Sequence, residues 1–307
     1  PDLRRSLKGA GHKFKTNSDT ECLVHLYERM GPEMVSKLRG QFAFAIWDER
    51  EKSLMLARDR LGQKPLFFFQ NPSRGIFAFA SELKSLLEIP DFEKTVDPIA
   101  IRQYLTYQYI PHPFCIFKSA EKLSPAHRLV WNPLSGKLSE ARYWKPDFHP
   151  KSSVNLFDLR SELKETMEEA VSMRMISDVP LGAFLSGGLD SSIIVSLMSE
   201  QIPDPVKTYS IGFNNTNYDE THYARMVAEH CGTKHTEETV CPSAMDILPE
   251  LVWHYDEPFG DSSAIPTYYV SQMARKHVKV VLTGDGGDEC FAGYPRYAAA
   301  WMGERWD

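Results

Sequence analysis

The chain has 307 residues, 42% of them hydrophobic and 25% charged, an ordinary globular composition with apolar material for two cores. A formal net charge of −6 and the lack of any basic block give a nucleic-acid partner no electrostatic support. No apolar run approaches a membrane span, and the first residues (Pro1-Asp2-Leu3-Arg4-Arg5) are no signal peptide. Five cysteines (Cys22, Cys115, Cys231, Cys241, Cys290) with no C-x-x-C pair read as reduced thiols in a cytoplasm.

Residues 20–30 place Leu23, Leu26, Tyr27 and Met30 on one helical face, with Gly31-Pro32 as a stop and Asp19 positioned as a cap. Cys22 falls inside that helix and reads as a packed thiol. The period then changes to strands. Phe42–Asp48 and Ser53–Arg58 flank a charged turn, and Leu66–Phe69 and Gly75–Ala80 flank Asn71-Pro72-Ser73-Arg74, so an antiparallel sheet is expected. Val96-Asp97-Pro98 starts a helix over Ile99–Tyr107, and the prolines that follow suit a rigid connection. His112, His127 and His149 lack metal-ligand spacing.

A long helix is expected over Leu156–Met175, with Leu159, Leu163, Met167 and Val171 on one face. Strands and helices then alternate: Val179–Leu185 strand, a helix from about Ser191, Val206–Phe213 strand, Glu220–His230 helix, Thr236–Val240 strand, Asp246–Tyr255 and Ile265–His277 helices, and Val278–Thr283 strand. This order predicts a parallel sheet covered on both faces, with ligands at the carboxyl ends of its strands.

Three strand ends carry chemical groups. The first is Ser186-Gly187-Gly188-Leu189-Asp190-Ser191-Ser192, a strand, tight turn and helix. Glycines admit a ligand close to the backbone, and the unpaired amides opening the helix favour an anion. Asp190 would repel a bare phosphate, so its presence points to a bridging Mg²⁺. No G-x-x-x-x-G-K-[ST] occurs, and the spacing does not match G-x-G-x-x-G, which argues against Walker-type phosphoryl transfer and against a dinucleotide. The second strand end is Ile211-Gly212-Phe213, where a small residue would let adenine lie on the backbone. The third is Thr283-Gly284-Asp285-Gly286-Gly287-Asp288-Glu289, whose clustered carboxylates imply a cation partner if buried. Asp256-Glu257-Pro258-Phe259 and Asp261-Ser262-Ser263 add polar groups.

The first of these stretches resembles the S-G-G-x-D-S-S pyrophosphate loop of the ATP pyrophosphatases. Thr16-x-Ser18-Asp19-Thr20-Glu21, Gly40-x-Phe42-Ala43-Phe44-Ala45, Ala57-Arg58-Asp59-Arg60-Leu61-Gly62-x-Lys64-Pro65-Leu66 and Ala80-Ser81-Glu82-Leu83-Lys84 resemble the glutaminase domain of asparagine synthetases. Joined, the two resemblances cover nearly the whole chain and point to the glutamine-dependent asparagine synthetases of the bacterial type. They imply an α/β protein: an Ntn-type antiparallel sandwich, partial, in residues 1–150, with an interdomain segment from about residue 90, and a doubly wound ATP-pyrophosphatase domain, partial, in residues 151–307.

By the same resemblance, Asp19 holds the amino group of glutamine, and Leu185, Ile211, Thr283 and Gly284 contact ATP beside the pyrophosphate loop Ser186, Gly187, Gly188, Asp190, Ser191 and Ser192. Asp190 and Asp288 serve Mg²⁺ and pyrophosphate, and Asp285 assists the acyl-adenylate; the family carries Glu or Asp at that last position. The family's nucleophilic N-terminal cysteine, its arginine and its Asn-Gly-Glu loop have no counterparts here, so the numbered chain, beginning at Pro1, reads as a fragment that should not hydrolyse glutamine.

The implied substrates are aspartate, glutamine and ATP, with ammonia passing between the domains; a homodimer is compatible with the family. Two rivals stay open: an amidotransferase for another carboxylate (a sugar acid, a peptide, a lipid-linked precursor or a β-lactam ring closure), and a non-catalytic ATP-binding homologue.

Overall fold

A computed structural model describes residues 1–149, 153–213, 220–240 and 244–303. The chain forms two compact units: Pro1–Pro150 with Val252–Gly260, and Lys151–Leu251 with Asp261–Asp307.

The first unit contains α1 (Asp2–Gly9), α2 (Thr20–Met30), β1 (Ala43–Asp48), β2 (Ser53–Arg58), β3 (Phe67–Asn71), β4 (Ile76–Ala80), α3 (Leu83–Leu86), α4 (Pro98–Tyr107), β5 (Ala120–Lys122), β6 (His127–Trp131) and β7 (Leu138–Arg142). Two antiparallel sheets result, ordered β1-β2-β6-β7 and β4-β3-β5.

Strand periodicity assigns their faces. Leu54 and Leu56 of β2 and Leu129 and Trp131 of β6 meet Phe68 of β3 and Phe77 of β4, so the sheets pack face to face. The alternate residues, Met55, Ala57 and Val130, turn to Leu7 of α1 and to Cys22 and Leu26 of α2. Phe67 and Phe69 turn the other way, to Leu83 and Leu86 of α3 and Ala100 of α4. The order helix, sheet, sheet, helix makes this unit a four-layer sandwich. Strands β2 and β3 read as nearly continuous apolar runs because both faces are covered.

The motif around Arg58 and Asp59 braces this sandwich. Asp59 is 1% exposed. Its carboxylate accepts from the N–H groups of Phe42 (3.2 Å), Leu61 (3.2 Å), Gln63 (3.0 Å) and Lys64 (2.9 Å). Arg58 donates to the carbonyls of Lys64, Leu123 and Gly62 at 2.7–2.8 Å. The two side chains satisfy backbone groups of the turn that follows β2, which no ladder reaches.

The second unit contains α5 (Leu156–Met175), β8 (Leu181–Phe184), α6 (Leu189–Gln201), β9 (Lys207–Phe213), α7 (Thr221–His230), β10 (Lys234–Val240), α8 (Ala244–Tyr255) as far as Leu251, α9 (Ala264–Arg275), β11 (Val280–Leu282), α10 (Gly287–Phe291) and α11 (Pro295–Gly303). Its sheet is wholly parallel, in the order β10-β9-β8-β11. Ala183 and Leu185 face α5, α6 and α7 through Val171, Val195, Met198 and Ala224. Tyr209 and the half-buried Phe184 and Ile211 face Val270, Met273 and Ala274 of α9. Helices therefore cover both faces, as the strand-helix alternation predicts.

Two expectations need revision. The apolar face of α5 is packed only toward its C-terminal end: Val171 is buried, whereas Leu159 is 42% and Leu163 38% exposed. Asp19 does not cap α2 with its side chain; Ser18 Oγ accepts from Thr20 N, and Asp19 has helical dihedrals with its carbonyl taking Cys22 N. A residue already turned into the helix cannot fold its carboxylate back over the first amides.

Candidate functional site

The strand order places the site. The chain runs from β8 outward through β9 to β10, then returns to β11 on the other side of β8. Such a reversal opens a crevice beyond the carboxyl ends of the two strands, because their connections leave in opposite directions. The two loops bordering it are Leu185–Gly188 and Thr283–Gly286, the first and third of the strand ends singled out above.

In the first loop, Leu185 is a core residue whose N–H donates to the Tyr209 carbonyl and whose own carbonyl accepts from Ser210 Oγ, so its side chain is packed and its backbone fixes the start of the loop. Gly187 has φ +86°, and a Cβ there would lie 2.5 Å from Ala224 N and 2.6 Å from Tyr223 Cβ. No side chain fits between this loop and α7, and the conformation itself favours glycine. Gly188 opens α6 without a side-chain cap. The three serines are engaged within the loop: Ser186 Oγ and Ser191 Oγ are 3.0 Å apart, Ser186 Oγ accepts from Gly188 N, and Ser191 and Ser192 donate to Gly188 O at 3.1 and 2.7 Å. They shape the loop. The uncapped amides and the positive end of the α6 dipole remain to attract an anion.

The second loop lies directly on this helix start. A Cβ on Gly284 would stand 2.7 Å from Ser191 N and 2.9 Å from Asp190 Cβ, and one on Gly287 would stand 2.6 Å from Asp190 Oδ2. The Asp190 carboxylate thus sits at the first residue of α10, immediately before Asp288. Thr283 Oγ1 donates to Asp285 Oδ2 at 2.7 Å, and Tyr294 OH donates to Glu289 Oε1 at 3.0 Å. That second bond, to a charged acceptor, raises the Tyr294 pKa. Asp285 and Glu289 are exposed, and the carboxylate of each accepts from a hydroxyl. Solvent meets the cost of grouping these charges, so the case for a ligand rests on the strand topology and on the Asp190 contact rather than on charge burial.

The donor set fits Mg²⁺. Asp190 is a hard carboxylate at the anion cradle, and Asp288, in α10 with its carboxylate against Gly293, is a second; an ion held by one or two carboxylates together with ligand phosphates suits such donors.

The remaining candidates lie outside these two loops. Ile211 lies at the end of β9 on the face toward α9. Asp19 is exposed beside α2 in the first unit. Asp256 and Glu257 also belong to the first unit: Asp256 pairs with Lys84 at 2.9 Å, and Glu257 pairs with Lys122 at 2.5 Å and accepts from Ile116 N at 2.7 Å. Both carboxylates thus do their work in the first unit. Sequence reasoning left their roles open, because their partners lie more than a hundred residues away with no local signal.

A cavity of about 520 Å³ in the same unit is lined by Arg58, His112, Lys122, Tyr255, Glu257 and Phe259 among others. Burial and the neighbouring Glu257 push the Cys115 thiol up to about 12, which makes it an inert packed group.

Residues 1–144 match the glutamine amidotransferase domain family, and residues 162–307 match the asparagine synthase family. Asparagine synthetase [glutamine-hydrolyzing] 1 of Bacillus subtilis is 38% identical over 297 residues, covering 96% of this chain and 46% of that protein. Asparagine synthetase [glutamine-hydrolyzing] 3 of the same organism is 33% identical over 316 residues, 97% of this chain and 50% of its own length. A relative from Methanocaldococcus jannaschii is 39% identical over 288 residues, 91% of this chain and 54% of its own. The chain spans about half the length of the curated relatives it matches. The chain thus joins a glutamine amidotransferase domain to an asparagine synthase domain, and the two matches in sequence order, with this identity across both units, support a fragment of a glutamine-hydrolysing asparagine synthetase.

Proposed function

We propose that the chain supplies the ATP-activating site of a glutamine-dependent asparagine synthetase, together with part of its glutaminase unit. The observation that carries this reading is the contact of the two loops at the strand-order reversal, with Asp190 lying against Gly287.

In this reading the triphosphate lies along Ser186–Ser192, where the α6 amides and helix dipole stabilise charge developing on the departing pyrophosphate. Asp190 and Asp288 would hold Mg²⁺, which when bound would neutralise phosphate charge. Leu185, Ile211, Thr283 and Gly284 border the adenosine and α-phosphate. Asp285, oriented by Thr283, faces the acceptor, whose carboxylate attacks the α-phosphorus to give a β-aspartyl-adenylate; ammonia then displaces AMP. Asp19, with its carboxylate free of a capping role, holds the ammonium of glutamine. The unpaired thiols Cys22, Cys115, Cys231 and Cys290 support a reducing, cytoplasmic setting.

The test is pyrophosphate release from ATP with Mg²⁺ and ammonium, in this chain and in a chain extended to the relatives' full length, with and without aspartate. Aspartate-dependent release with asparagine as product is the expected result. Release stimulated by a different carboxylate and not by aspartate would overturn the substrate assignment.

A further inference from the structure

We propose that His12, His25 and Glu28 of the first unit form a binding site for a zinc-class divalent cation, independent of the ATP site. Their ligand atoms lie within 4.8 Å of one another, and they form the only such group of three found among the described residues. His12 Nδ1 and His25 Nδ1 are 3.2 Å apart, His25 Nδ1 is 3.2 Å from Glu28 Oε2, and His12 Nδ1 is 4.0 Å from the same oxygen. Tetrahedral zinc, with bonds of about 2.0–2.1 Å, spaces its ligands about 3.3 Å apart. The three atoms already stand close to that spacing.

Proton arithmetic favours a cation over hydrogen bonds alone. If His25 Nδ1 is protonated, its single proton is shared between Glu28 and His12; if it is not, its lone pair faces the Glu28 carboxylate. A metal at the centre satisfies all three lone pairs at once.

A second observation concerns the far side of the His25 ring. Nε2 is buried and has no hydrogen-bond partner, and the carboxylate oxygen Glu21 Oε1 lies 3.7 Å away. When Nδ1 ligates a metal, Nε2 carries the proton and points toward a carboxylate, an arrangement that fixes ring orientation and raises ligand basicity. Glu21 is itself held by the N–H groups of Lys15 and Thr16 at 2.6 and 2.7 Å. Phe14 packs edge-on against His25 with ring centroids 4.7 Å apart, while Arg4 covers the far ring and donates to Thr16 O.

Glu28 is 60% exposed, which leaves water access for a fourth ligand. Since α2 carries Glu21, His25 and Glu28, and His12 follows α1, the ion would clamp the α1–α2 connection, on which Asp19 also lies.

Zinc is titrated into the untagged chain against a chromophoric chelator, with cobalt substitution as a spectroscopic probe. One equivalent of zinc is expected to bind, with cobalt giving a tetrahedral spectrum free of thiolate charge-transfer bands. His25→Ala should abolish the site. Glu28→Gln, at an exposed position that keeps the fold, should weaken it about tenfold or more. The inference is overturned by no stoichiometric zinc, by unchanged affinity in both variants, or by a thiolate band placing the metal on cysteine.

Discussion

Replacing Gly284 by alanine isolates the contact between the two loops. The added Cβ would meet Ser191 N at 2.7 Å, Asp190 Cβ at 2.9 Å and Asp190 C at 3.0 Å. These are atoms of the first turn of α6, a helix fixed through Val195, Leu197 and Met198 in the core, so they cannot retreat. The β11 loop must give way instead, by roughly half an ångström to reach ordinary contact, and overpacking of this kind costs about 1–3 kcal/mol.

If ATP with Mg²⁺ binds across both loops, the nucleotide-bound arrangement must reverse that displacement. Affinity should then fall about 5- to 150-fold, the same free energy expressed as a ratio. Titration calorimetry of Mg²⁺·ATP on the chain measures this. Gly9→Ala, whose Cβ meets nothing within 4 Å, serves as the control. Gly284→Ala that binds ATP like the parent, with the fold intact, would refute the placement of the nucleotide between β8 and β11.

Further outcomes concern the first unit. Asp59→Asn replaces one acceptor oxygen by a donor facing two N–H groups, so unfolding followed by the tryptophans of that unit should be destabilised by about 3 kcal/mol or more; an unchanged midpoint would contradict the bracing role. Glu21 is lowered to about 2, chiefly by the Lys15 N–H, from an ordinary 4.5. Because the folded value lies below the unfolded one, its contribution is fully present above pH 4.5 and is lost as pH falls through about 2; a side-chain titration followed by NMR that gives an ordinary midpoint would contradict the Lys15–Thr16 contacts. Alkylation at pH 8 should label exposed Cys290 and spare Cys115, and equal labelling read by mass spectrometry would contradict the packing around Cys115.

Much of the second unit was legible because its signals are local. The apolar run into Gly187-Gly188, and the strand-helix alternation after it, fixed β8, α6, β9 and α7 to within a few residues. In the first unit β1–β4 were legible from their paired hairpins, while β5, β6 and β7 were not. Ala120–Lys122 has three residues, and Leu138–Arg142 is a mostly polar edge strand whose pairing is decided by its partner.

The candidate site residues were read from the glycines and carboxylates of two loops. Their meeting was not legible, since it follows from β11 returning beside β8 rather than extending past β10. Asp256 and Glu257 resembled site carboxylates for the same reason: sequence shows their charge and hides Lys84 and Lys122.

The most direct test of the account measures pyrophosphate release and glutamine hydrolysis side by side for Asp190→Ala in a chain extended to the relatives' full length. The assigned role predicts that pyrophosphate release is abolished while glutamine hydrolysis stays near the parent level, because Asp190 acts at the β8–β11 crevice alone. Equal loss of both activities, or pyrophosphate release at the parent rate, would contradict it.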